Sequence, residues 1–455
     1  MMKRTYCLLA LIFVGAMFWS ATVWAGPSIY PSGVTRYDPA KASDVFVLFS
    51  GADDKTHLID MDGNEVRHWD YRGFPSGMLD PALVGGARGH VIVQLAEMTG
   101  SETGMIPGMP RLYKNKTIGE LDWDGNIVWQ WGETAPAGAA QQHHDWARLA
   151  NGDTLVLSVL SYQLPGFTLP KQLDDVIYQV TPKGDIVWKW VAGDHLEEFG
   201  FTPEALALVR KSEIPDYLHV NDMRPLGANH WFREGDARFD PDNIMISSRE
   251  ANFTIIIDKK TGHVVWRLGP AYPPTPKGAR RLPMIVDQIS GQHYPHLIAA
   301  GLLGAGNLLI FDNQGAAGFP AAMLKLFPGS RALEIDPVKQ QIVWEYTGSD
   351  SNAPEWSFYS SFISNVDRLP NGNTFIDEGM NGRFLQITPA GEIVWEYVSP
   401  YFGPQPFGPG GKKVQANAVY RAQPVPYDWA PAGTPHGEQA VIPPDLVTFR
   451  IPAQR

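Results

Sequence analysis

The sequence predicts an all-β fold, a six-bladed β-propeller, from three observations. One hairpin pattern occurs six times, each copy ends on a repeated pair of large side chains, and the composition favours turns over long helices. The copies are HLIDMDGNEVRHW (57–69), GELDWDGNIVWQW (119–131), YQVTPKGDIVWKW (178–190), TIIIDKKTGHVVWRL (254–268), ALEIDPVKQQIVWEY (332–346) and LQITPAGEIVWEY (385–397). Each reads as an apolar strand, a tight polar turn and a second strand. Asp-Gly-Asn and Lys-Gly-Asp supply the positive-φ positions such turns need. With Gly 45, Pro 38 and Trp 15 in 455 residues, turns and large anchors are plentiful.

Trp129, Trp188, Trp266, Trp344 and Trp395 form one column, with Arg67 in the first copy. Two residues later stand Trp69, Trp131, Trp190, Leu268, Tyr346 and Tyr397. Residues two apart on a strand share a face, so each copy carries a broad apolar patch. A patch that recurs this way must be buried against the next copy. Radial stacking of four-stranded blades does so and hides most strand edges. These aromatics therefore read as packing residues, not as a platform for a sugar or cofactor. A second motif, often with Leu-x-Asn-Gly, precedes most hairpins: 143–158, 218–227 with 242–248, 291–313 and 361–379. It supplies the two inner strands of a blade.

The interruptions read as loops over a propeller face, where ligand sites are built. They are 101–110, the Pro-rich 270–283 with Arg280 and Arg281, and the Pro/Gly-rich 399–413. Thr202-Pro203-Glu204 opens a short helix through Val209, with a cap, a first-turn proline and an acid. The segment 417–429, NAVYRAQPVPYDW, either closes the ring or plugs its funnel.

Residues 1–25 read as a secretory signal. Lys3 and Arg4 precede an apolar stretch from Tyr6 to Trp19, and Ala25 ends a small-residue cleavage site. An uncleaved anchor is the alternative. The expected organisation is a signal at 1–25, a propeller at 26–430 and a tail at 431–455, in a periplasmic or secreted protein. Cys7, the single cysteine, lies inside the signal, so the mature chain has neither a disulfide nor a thiolate nucleophile. A net charge of −11 argues against nucleic acid or an anionic membrane as partner. There is no P-loop, GxGxxG after a strand, HExxH, Cx2C pair, calcium loop or GxSxG elbow, so neither a cofactor nor a metal is expected. A three-histidine metal site assembled from three blades is the one geometric exception weighed.

The 12 histidines are not scattered. His143 and His144 open the inner strand of one blade, His219 the next, and His293 with His296 the one after; Ser364 and Asn365 hold the equivalent place in the following blade. Starts of successive inner strands surround the mouth of the axial channel, so His144, His219 and His293 should converge there as catalytic candidates. Arg249, Asn313, Glu378 and Arg383, near the ends of the second strands, are candidate substrate ligands, with Asp312 and Asp377 beside them. Structural readings stand beside these. His144-Asp145 can tie neighbouring blades, His219 and His293 can satisfy backbone groups, His296 reads as structural, and Arg249 can bridge blades through Glu250.

On HHDWARLANGD, LHVND, ISSRE, GQH and FDN, the chain resembles the bacterial arylsulfate sulfotransferase family over roughly residues 45–425. The resemblance implies a periplasmic six-bladed propeller that moves a sulfuryl group between phenols without a nucleotide donor. It implies a central histidine as covalent acceptor, with two more histidines and an arginine holding the sulfate and assisting the leaving phenol. The His of LHVND carries over to His219 and that of GQH to His293. The family's arginine after FDN is missing from Phe311 to Ala316, and its nucleophilic histidine is missing from 371–385, where Arg383 falls nearby. Arginine stays protonated and cannot replace an imidazole nucleophile. The family's cysteine pair is absent, and the chain has too few residues for its separate N-terminal β-domain. The expected partner is a small aromatic sulfate or phenol. A non-catalytic propeller binding an anionic aromatic or sulfated ligand is the alternative. A quinone-cofactor carrier is a third reading, disfavoured because those propellers usually have eight blades.

Overall fold

In the computed structural model, which describes residues 31–98, 111–273, 284–318, 329–445 and 448, the six repeats form the six blades of one ring. The signal segment with Cys7, the whole 101–110 loop and Arg280-Arg281 lie outside the described residues.

Each hairpin quoted above forms the outer half of a blade. The inner strands, in blade order, are Ala422–Val425, Gly77–Met78, Trp146–Arg148, Val220–Pro225, His293–Leu297 and Asn365–Arg368. Blades 5 and 6 carry a fifth strand at the rim, Met284–Ile285 and Gly33–Tyr37. The ring closes because Ala422–Val425 pairs with Phe46–Ser50, so the C-terminal region supplies the innermost strand of the first blade. Just before that strand, Tyr420 and Arg421 are buried on the axis. The 417–429 segment both closes the ring and fills the funnel.

All six outer hairpins slip register at the same place, next to the turn. The residue that lets this happen has positive φ: Gly63, Gly125, Gly184, Gly262 and Gly391, with Gln340 in the fifth hairpin. This is the geometry of a turn closed by a bulge, which glycine adopts without strain.

The core is divided among the seams. Six clusters of buried apolar side chains each join two adjacent blades. An indole crosses every seam. Trp69 donates to Asp122 O, Trp131 to Gly184 O, Trp190 to Gly262 O, Trp266 to Pro337 O, Trp344 to Pro389 O and Trp395 to Met61 O, at 2.8–3.2 Å. Each acceptor lies in the hairpin turn of the following blade, so the aromatic columns both bury area and fix the angle between blades.

The helix after blade 3 is Pro203–Arg210, with Thr202 Oγ1 accepting from the Ala205 N–H. The 399–413 stretch differs from the loop expected there. Gly403–Gly408 and Lys412–Ala416 pair as a two-stranded ribbon, its prolines on an edge where no ladder donor is needed. No helix among the described residues is long and apolar enough to cross a membrane.

Candidate active site

The inner strands begin at one face of the ring, and their first residues bend toward the axis. His144, His219, Tyr294, Ile363 and Ser364 all have positive φ there. Such backbone is costly for residues with a β-carbon and clusters at functional sites. It turns the imidazoles of two blades together: the rings of His144 and His219 lie 4.5 Å apart, edge to face. The ring of Tyr420 lies 5.5 Å from that of His144 and 6.3 Å from that of His293. Tyr420 therefore stands between His144 and His293, and His219 joins the group through His144.

Their environments differ. His219 Nδ1 lies 2.5 Å from Asp216 Oδ2, which also accepts a bond from Tyr113 OH. This carboxylate fixes the Nδ1–H tautomer, and Nε2 has no bonded partner among the described residues. The His219 side chain keeps 19% of its surface exposed, so that nitrogen is reachable. His144 is enclosed by Phe74, Tyr420, His143 and His219. Burial, and then the neighbouring imidazoles, holds its pKa well below the ordinary value. Its Nδ1 is 2.8 Å from His143 Nδ1, a contact that neutral rings make well, with one donating and one accepting. Burial pushes His143 down to about 4. Beyond it, Asp175 lies 3.5 Å from His143 Nε2; burial and then Asp216 raise that carboxyl well above the usual range.

His293 uses both nitrogens. Nδ1 faces Asn313 Oδ1 at 2.8 Å and Gly291 O at 3.0 Å, while Nε2 accepts from the Ile363 N–H at 3.1 Å. Asn313 in turn donates to Ser360 O and Ile363 O. This pair clamps the 360–363 turn of blade 6 onto blade 5. His296 has its Nδ1 on Tyr294 O.

Arg249 is at the same mouth. Its backbone N–H bonds to His219 O, and its guanidinium contacts Glu250 and Ala316 O. Arg383 and Glu378 are not part of the histidine group. Arg383 is bound to Glu378, Glu396 and Ser357 O, and Glu378 also accepts from Tyr359 N–H and Asn381. Both are buried within blade 6, Arg383 on its third strand and Glu378 on its second, counted from the axis. Asp312 is similarly engaged, by Arg331. Asp377 is fully buried and neither carboxylate oxygen has a partner among the described residues; burial raises its carboxyl well above the usual range.

Below the histidines an ionic plug blocks the axis. Arg421 donates to Asp145 Oδ1 at 2.9 Å and to Asp222 Oδ1 at 3.0 Å. Asp145 also accepts from the Met223 N–H, tying blade 3 to blade 4. Burial and the adjacent Asp145 push the Asp222 carboxyl well above its usual range. The Tyr294 ring is sandwiched between Arg224 and Arg421, at 3.8 and 4.4 Å. Beneath the plug is a cavity of about 240 Å³ lined by Trp146, Arg224, Met245 and His296. Asp216, Tyr113, Tyr420 and Arg421 escaped sequence reasoning. They lie in segments outside the repeat, and nothing local marks them as partners of distant histidines.

A family description, Arylsulfotransferase (ASST), matches residues 39–397. The chain belongs to the arylsulfotransferase family. No curated protein sequence matches the chain. Among solved structures it is similar to a protein of unknown function from Bacteroides caccae, at 12% identity and TM-score 0.44 over 84% of this chain and 99% of that one. A periplasmic gluconolactonase of Pseudomonas aeruginosa gives 11% and 0.38 over 84% and 99%. The Swd1 β-propeller domain of Myceliophteria thermophila gives 10% and 0.37 over 83% and 90%. In this member of the arylsulfotransferase family, the axial histidines lie at the mouth of a funnel plugged by Arg421, Asp145 and Asp222.

Proposed function

We propose that this arylsulfotransferase relative transfers a sulfuryl group from an aryl sulfate to a phenol at the axial mouth, without a nucleotide donor, with His219 as the reacting imidazole. The observation that carries the reading is the Asp216–His219 pair. One nitrogen is committed to a carboxylate and the other is unbonded and accessible. A neutral imidazole held in this tautomer is the arrangement a nucleophile or general base needs.

In the proposed reaction Nε2 attacks sulfur, the S–O bond to the aryl group breaks, and the released phenolate takes a proton. A second phenol then attacks the sulfur of the N-sulfo-histidine, loses its proton and frees Nε2. The two proton steps cancel overall. Arg249, next to His219, offers positive charge to the sulfate oxygens. His144 is kept neutral by burial and can exchange protons with the phenols. His293 and Asn313 act as positioning residues for the mouth. The leader read at residues 1–25 supports a periplasmic or secreted setting.

The test is 4-nitrophenyl sulfate with phenol as acceptor. Wild-type protein should release 4-nitrophenolate and form phenyl sulfate, with an acid-labile adduct on His219. Asp216→Asn should lower kcat by roughly 10²–10⁴ while leaving the fold intact, as loss of the tautomer-fixing carboxylate does elsewhere. No product and no adduct, under conditions where a sulfated phenol still binds, would favour the non-catalytic binding reading instead.

A further inference from the structure

We infer that His195, Glu198 and His263 form a binding site for a divalent transition metal, of the zinc class, at the seam between blades 3 and 4. The site is separate from the axial mouth and independent of the transfer reaction. His195 and Glu198 lie on the turn Ala192–Glu198 that leaves blade 3, and His263 lies on the outer hairpin of blade 4. Two imidazoles and a carboxylate are a donor set that suits zinc with a water in the fourth position.

The geometry is close to the requirement. Glu198 Oε1 is 3.0 Å from His195 Nδ1 and 3.1 Å from His263 Nδ1, and one ligand atom from each residue falls within 4.8 Å of the others. Donors about 2.0–2.1 Å from a tetrahedral ion stand about 3.3 Å apart, so the two carboxylate–imidazole spacings are within a few tenths of an ångström of what the ion needs. The trio is also braced from outside. Glu198 Oε2 accepts from the Val264 N–H at 2.8 Å, which leaves Oε1 facing the imidazoles. The His195 ring stacks on Trp190 at 5.0 Å, and the Trp190 indole holds Gly262 O, next to His263. Such outer contacts orient metal ligands in built sites.

There is access and room. His263 is 68% exposed and His195 16%. Glu198 opens onto a cavity of about 450 Å³, bounded by Val264, Arg267 and Gln340, that has space for the water ligand. Each imidazole would ligate through Nδ1, and the ion takes the place between them and Glu198 that hydrogen bonds now occupy. The bound ion would cross-link two blades at a seam already carrying the Trp190 bond.

The experiment uses the full chain, stripped with a chelator and titrated with Co²⁺ and then Zn²⁺. One equivalent of Co²⁺ should give visible absorption of a low-coordinate site, bleached by Zn²⁺, with a rise in Tm on metal addition. His263→Ala changes an exposed side chain, so folding should survive. It should weaken binding by more than the roughly 10–100-fold that loss of an outer partner costs. Glu198→Gln should do the same, and His219→Ala should leave binding unchanged. The inference is overturned if Co²⁺ at micromolar concentration gives no spectrum. It is equally overturned if His263→Ala binds as wild type does, or if binding disappears with His219→Ala instead, which would place the ion on the axis.

Discussion

At the rim of the ring every blade repeats one solution, whereas at the axis each blade does something different. The rim uses a hairpin with the same bulge six times and an indole bonded to the next turn at all six seams. At the axis, blade 4 presents an imidazole backed by a carboxylate, blade 5 an imidazole with both nitrogens bonded, blade 6 a serine, and the closing segment a tyrosine and an arginine. Repetition is what packing rewards, because one geometry solves six seams. A reacting centre needs unlike groups facing each other, and a ring of non-identical blades provides them without disturbing the wall.

The sharpest way to break the comparison is at His219. His219→Ala should reduce transfer by about 10⁴-fold or more with little change in Tm, because the side chain is partly exposed and its carboxylate partner lies on the same connection. His293→Gln should cost at least tenfold less activity and more stability, since it removes a clamp and not a reactive nitrogen. Equal losses of activity in the two variants would end the distinction between them.

Next in size is the plug. Arg421→Ala leaves Asp145 and Asp222 buried without their shared cation and should cost about 3–5 kcal/mol in urea unfolding. A change below about 1 kcal/mol would mean that water reaches the axis and screens the pair.

A pH experiment tests the buried side of the mouth. An imidazole in an unfolded chain takes up its proton near pH 6.5, whereas His143 in the fold does so only at about 4. Between those values the unfolded chain binds a proton that the folded one refuses. Stability from this residue is therefore complete above pH 6.5 and lost as the pH falls toward 4, by on the order of 3 kcal/mol. His143→Gln should flatten the Tm profile over that interval; an unchanged slope would show that His143 is not the group responsible.

The smallest effect belongs to the rim. Trp395→Phe removes a fully buried bond to Met61 O and should cost about 1–2 kcal/mol. Trp344→Phe removes the solvent-exposed bond to Pro389 O and should cost about half as much or less. A reversal of that order would show that solvent exposure does not weaken these bridges.

The same contrast explains what could be read from the amino acids. The blades were legible because each hairpin carries its own signal: alternating strands and large residues two apart, with a glycine where the bulge needs positive φ in five of the six. His144, His219 and His293 were legible as a group because each opens an inner strand, a position the repeat itself defines. Asp216 and Tyr113 were not, since both come from connections that obey no period, and the contact between them exists only after the ring has formed. Arg383 and Glu378 show the opposite difficulty. They follow a second strand closely in sequence, yet the third strand starts away from the axis, and the carboxylates of blade 6 hold the guanidinium there. The 399–413 ribbon was hidden by its prolines and glycines, which read as a loop unless the pairing partner is known.

The innermost strand of the first blade comes from residues 422–425, made after every other strand of the ring. Tyr420 and Arg421, immediately before it, complete the environment of His144 and His293 and bind the acids beneath them. A nascent chain can thus stack its blades while its reactive pocket is still unfinished. The pocket proposed for transfer is complete only when translation has passed this point and the ends of the circle have met. A stalled or clipped polypeptide lacking these few residues would be an open arc without that pocket.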